Sequence, residues 1–108
     1  MAHCRAVLPV DPTLEGINCL LSEVIAQLGL EISEPLQEHP WLIATDRPQR
    51  GLKAREYVRV LCDWSNLRNT GEMAIETRSG ESMAHSDTRA KSLLQQLCSR
   101  LEQVGAGR

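Results

Sequence analysis

Hydrophobic and polar positions along the chain repeat with two different periods. Leu14, Ile17, Leu21, Val24, Ile25 and Leu28 recur every three or four residues, which puts them on one face of an α-helix. The segment opens on Asp11-Pro12-Thr13-Leu14-Glu15. That run offers a side-chain acceptor for unpaired amides, a proline at the first helical position and a carboxylate in the first turn. With Gly29 as a stop, the pattern predicts a helix over about 12–28. Near the end of the chain, Ala90, Leu93, Leu94, Leu97, Leu101 and Val104 again share a face, with Ser86 or Asp87 as cap and Gly105 beyond the last turn.

Between the helices the period drops to two. Val58, Val60, Cys62 and Trp64 alternate with Tyr57, Arg59, Leu61 and Asp63; Met73, Ile75 and Thr77 alternate with Ala74, Glu76 and Arg78. Asn66 to Gly71 are turn formers, so these two strands form a hairpin. Trp41 to Thr45, after Pro40, reads as another strand, extended backward over Leu30 to Leu36 with Pro35 and Pro40 marking an irregular edge. Residues 3–9, mostly apolar and stopped by Pro9 and Pro12, suit a first strand.

The resulting order, β-α-β-β-β-α, predicts an α+β fold in a single domain over residues 1–108. In it a mainly antiparallel four-stranded sheet carries both helices on one face, as a two-layer sandwich. Tyr57, Arg59, Asp63, Glu76 and Arg78, with Arg5 if the first strand keeps phase, then stand on the other face, where opposite charges can pair across strands.

Charge changes this picture more than composition does. The overall balance is −2, yet the first 46 residues hold one basic and seven acidic residues and the remainder eleven basic and seven acidic. The apolar runs are far shorter than the ~18 residues a membrane span needs, and the amino terminus lacks a charged-then-apolar leader. The expectation is a soluble cytoplasmic protein without membrane insertion. Cys4, Cys19, Cys62 and Cys98 are scattered, with no Cys-x-x-Cys and no histidine spaced to complete a zinc site, and read as reduced, mostly buried thiols.

No catalytic motif is present. Phosphate-binding and dinucleotide-binding glycine patterns are absent, and Cys62–Asp63, or Ser82 and Ser86 around His85, are the nearest approach to a nucleophile with a base. His3, Cys4, His39 and His85 could meet at a metal only by an accident of folding. The reading is therefore of a non-enzyme with no cofactor and no metal. The densest basic stretch runs from Arg47 to Arg55 and includes Arg50 and Lys53, with Gly51 permitting close backbone approach. Trp41, Tyr57 and Trp64, the only aromatic residues, flank it; Trp64 continues a core face, whereas Trp41 suits either core packing or an interface anchor.

The element order is similar to that of double-stranded-RNA-binding-like folds, and most closely resembles that of ribosome hibernation-promoting factors. The last helix, from His85 to Leu94, looks loosely like theirs but lacks the paired lysines that RNA-binding members place at its start. The first helix, with Glu15 and Glu23 and no basic residue, is unsuited to meeting phosphate. The resemblance is one of topology, and no family is assigned from it. The leading expectation is a non-catalytic interaction protein, an assembly or regulatory accessory. It would bind a protein partner, or a second copy of itself, through the exposed sheet face or the 47–55 loop, with Trp41, Arg47, Arg50, Lys53, Arg55, Tyr57 and Arg59 as contacts. RNA or ribosome association is the alternative; a small thiol enzyme or hydrolase using Cys62 or Cys19 is a third.

Overall fold

The structure, a computed structural model, describes residues 1–10, 17–33, 40–48, 50–82 and 88–106. Strand β1 (Ala2–Pro9) is followed by helix α1 (Ile17–Gln27), β2 (Leu30–Ile32), β3 (Trp41–Asp46), β4 (Arg59–Asp63), a single helical turn α2 (Leu67–Thr70), β5 (Glu72–Ser79) and helix α3 (Arg89–Ala106). The fold is α+β. Among the described residues the sheet is antiparallel and has five strands, in the order β1-β5-β4-β3-β2.

Five strands replace the expected four because Gly29, at φ 76°, reverses the chain after α1. Leu30 to Ile32 then pair antiparallel with Asp46 to Ala44, so these residues form a strand of their own beside β3 and do not extend it backward. Three residues are too few for alternation to declare itself. Tyr57 also departs from expectation. It closes a 3-10 turn, Ala54–Glu56, by donating its N–H to the Ala54 carbonyl at 3.3 Å, and β4 begins only at Arg59. At the far end, α3 continues through Gly105 to Ala106. The predicted start of α1, from Asp11 to Gly16, and the predicted caps Ser86 and Asp87 lie outside the described residues.

The hydrophobic pattern maps onto one side of the sheet. Leu42 and Ala44 of β3, Val60 and Cys62 of β4, and Met73 and Ile75 of β5 are buried, as are Leu21, Val24 and Ile25 of α1 and Leu93, Leu94, Leu97 and Leu101 of α3. These residues form one contiguous core, with Trp64 packed against it at the end of β4, where the alternation placed it. Helix α3 rests on β1 and β5, and α1 rests on β2 and α3. Full burial of a side chain such as Leu97 contributes about 1.5–3 kcal/mol.

A polar cluster fixes where α3 begins. The Asp46 carboxylate, with 0% exposure, accepts from both Nη2 of Arg89 at 2.6 Å and its Nε at 3.2 Å, and from the Val58 N–H at 2.8 Å. The last residue of β3 is thereby tied to the first residue of α3 and to the entrance of β4. Glu81 accepts from the Arg89 N–H at 2.8 Å and the Ala90 N–H at 3.4 Å, and from the Ser79 hydroxyl at 2.7 Å. Thr88 Oγ1 accepts from the Lys91 N–H at 3.2 Å as the N-cap. In the core, Thr77 Oγ1 donates to the Ala90 carbonyl at 2.8 Å, which accounts for a buried hydroxyl on the apolar side of β5.

Asp46→Ala is expected to lower the unfolding free energy by about 3 kcal/mol in urea titration, because it strands the Arg89 guanidinium and the Val58 N–H. Pairing Asp46→Leu with Arg89→Leu restores a large part of that loss; a double variant as unstable as Asp46→Ala would show that the pair contributes more than its own satisfaction. Partial burial alone would raise the Glu81 pKa, but the Arg89 N–H, the Ser79 hydroxyl, the Ala90 N–H and the Arg89 charge together hold it below its ordinary value. Its stabilising contribution is then complete above the unfolded-state pKa, about 4.3, and is lost as pH falls through the lower folded value. Glu81→Gln should thus be less stable than the parent at pH 7, with the urea midpoints converging as the pH falls below the ordinary carboxylate range.

Candidate functional site

The side of the sheet away from the helices bears three cross-strand rows. His3, Arg78, Arg59, Thr45 and Glu31 occupy successive strands in direct register; Arg5, Glu76, Leu61 and Ile43 form the next row; Val7, Ala74, Asp63 and Trp41 the third. The described helices place their buried residues on the other side, and Val7 is 44% exposed. Glu76 sits at the hub of the charges, with Arg5 Nε at 3.4 Å, His3 Nε2 at 3.6 Å and Arg78 Nη2 at 3.9 Å. The Arg5–Glu76 pair is the cross-strand pairing of opposite charge that the alternation implied.

Arg59 is placed differently. Its direct cross-strand neighbour is Arg78, a like charge, and among the described residues its side chain has no hydrogen-bond acceptor and no ion-pair partner. Like charges directly opposite one another destabilise a sheet. Between these arginines and the third row lies a shallow depression lined by Ile43, Arg59, Leu61, Glu76 and Arg78. Its floor is two half-buried aliphatic side chains.

The 47–55 loop joins β3 to β4 at the same end of the sheet as the Arg59–Arg78 row. Arg47, Arg50, Lys53 and Arg55 are exposed there, and none has a side-chain partner among the described residues. The loop has local structure of its own. Glu56 Oε1 accepts from the Lys53 N–H at 3.3 Å across the 3-10 turn, and Gly51 adopts φ 86°. Gly80, just after β5, comes so close that a Cβ there would lie 3.1 Å from the Arg55 Cα. Asp63 and Glu72 occupy the opposite end of the strands.

Of the other predicted contacts, Trp41 is half-buried in the third row, opposite Asp63. Tyr57 is half-buried at the end of the 3-10 turn, apart from the rows. The groove beside the first turns of α3, lined by Glu56, Glu81, Thr88, Arg89, Lys91 and Ser92, is polar, but Glu81, Thr88 and Arg89 are engaged in capping and in the Asp46 pair. Sequence reasoning missed the Ile43–Leu61 floor, since both residues looked like ordinary strand positions; the register across β3 and β4 is the signal that brings them together.

Thiol chemistry finds little here. Burial, with a smaller contribution from Cys98, pushes the Cys62 thiol up to about 12. Asp63 points to the opposite face and its Oδ1 accepts the Ser65 N–H at 2.9 Å. Cys19, Ser86, His39 and His85 lie outside the described side chains. Among the described residues no group of three or more His, Cys, Asp or Glu could hold a metal, and no helix is long and apolar enough to cross a membrane. Compared with protein-family models, curated proteins and solved structures, the chain matches none significantly.

Iodoacetamide at pH 8 should leave Cys62 unmodified in the native protein and label it once urea unfolds the chain, as peptide mass analysis would show. Rapid native labelling of Cys62 would return the thiol-enzyme reading to consideration.

Proposed function

We propose that the chain is a non-catalytic interaction domain, a two-layer sandwich that binds a protein partner through the cationic end of its open sheet face and the adjoining 47–55 loop. The observation that carries this reading is an excess of unpartnered cations on a structured surface. Arg47, Arg50, Lys53, Arg55 and Arg59 lie at one sheet end without acceptors among the described residues, while Asp46 and Glu76 are already engaged. Charges arranged in this way raise encounter rates and set register with a complementary partner. An assembly or regulatory accessory in the cytoplasm is the setting that fits this role, and a second copy of the chain is one such partner.

Capture from native extract by the immobilised full chain should recover a discrete protein. Replacing Arg50→Glu and Lys53→Glu together should cut its recovery about tenfold without altering the circular-dichroism spectrum, a loss that corresponds to about 1.4 kcal/mol. Unchanged recovery would remove the loop as a contact. Co-sedimentation with ribosomal particles that disappears as salt rises would replace the protein reading with RNA association.

A further inference from the structure

The depression between β3, β4 and β5 permits a narrower statement about the partner, resting on the protein-binding reading above. We infer that the open face receives an acidic segment of the partner protein, with one of its carboxylates held between Arg59 and Arg78 and a neighbouring aliphatic side chain seated on Ile43 and Leu61.

Three features converge on this ligand. The first is the registered pair of arginines. Glu76 is shared among Arg5, His3 and Arg78, whereas Arg59 has no ion-pair partner among the described residues. A guanidinium presents a planar fork that matches a carboxylate, and an anion placed between two of them converts a cross-strand repulsion into two charge-assisted hydrogen bonds. The second is the aliphatic floor one register step away. A bare inorganic anion gains nothing from Ile43 and Leu61, whereas a peptide with a leucine, isoleucine or valine beside its acidic residue covers them. The third is Glu76 itself, which lines the same depression. A continuous phosphate backbone crossing the face would run against that carboxylate, while a peptide with a single acid and an apolar neighbour passes beside it. The cationic loop at the same end supplies the field that draws an acidic segment in.

The test is a selection of random twelve-residue peptides displayed on phage against the full chain, followed by fluorescence titration of the synthesised winner. Enriched sequences should carry Asp or Glu within two residues of Leu, Ile or Val. Arg59→Glu and, separately, Leu61→Asp should each weaken the winner at least tenfold, and its Glu→Gln counterpart should bind no better than background. Arg59 is exposed, so its substitution is expected to leave the thermal melt near that of the parent, which guards against loss by unfolding. Winners lacking a carboxylate would overturn the inference. So would acidic winners indifferent to Arg59→Glu; if these were lost with Arg50→Glu and Lys53→Glu, the protein-binding reading would stand, with the loop alone as the contact. Absence of any winner, with salt-sensitive binding of an oligouridylate strand in its place, would overturn both.

Discussion

A single buried carboxylate holds the architecture in register. Asp46 lies at the end of β3, out of contact with water, and answers at once to the Arg89 guanidinium, which begins α3, and to the Val58 N–H, which leads into β4. Burying an ion is costly unless it is paired and hydrogen-bonded, and the contacts with Arg89 and Val58 meet that requirement. Glu81 and Thr88 cap the same helix end from the chain that precedes it, so one polar cluster positions the longest helix over β1 and β5. The apolar core beneath is generic in composition. The polar cluster at its margin ties the end of β3, the entrance of β4 and the start of α3 to one another.

That arrangement also decides which charges are spent and which are left. Asp46 is consumed internally, although it is adjacent in sequence to the basic loop, and Glu76 is shared by Arg5, Arg78 and His3 on the open face. The loop and Arg59 are left without counter-ions among the described residues. A modest overall balance of −2 therefore coexists with a cationic sheet end. Had Asp46 faced solvent, it would have offset one of the four loop cations.

Much of the fold was legible in the sequence because burial imposes a period. The buried faces of α1, β4, β5 and α3 are the residues that the three-to-four and two-residue spacings selected, among them Leu21, Val60, Ile75 and Leu97. Features that depend on distant partners were not legible. Asp46 and Arg89 are 43 positions apart and carry no local mark of their pairing. Glu81 caps a helix that starts eight residues later. Tyr57 kept the alternating phase of β4 on paper, yet the 3-10 turn claimed it, because Glu56 closes onto Lys53 before the strand begins. Of the candidate contacts, the loop cations and Arg59 form a coherent group on one sheet end, and Tyr57 does not join their rows.

The close approach of Gly80 to Arg55 has a consequence for how the basic segment would behave in an encounter. A glycine lets the end of β5 sit against the loop backbone without displacing it, where a Cβ would force a shift of a few tenths of an ångström, and the 3-10 turn braces the same stretch from within. The backbone positions of Lys53 and Arg55 are thus set when the chain folds, and under the proposed binding role their association would forfeit little backbone freedom.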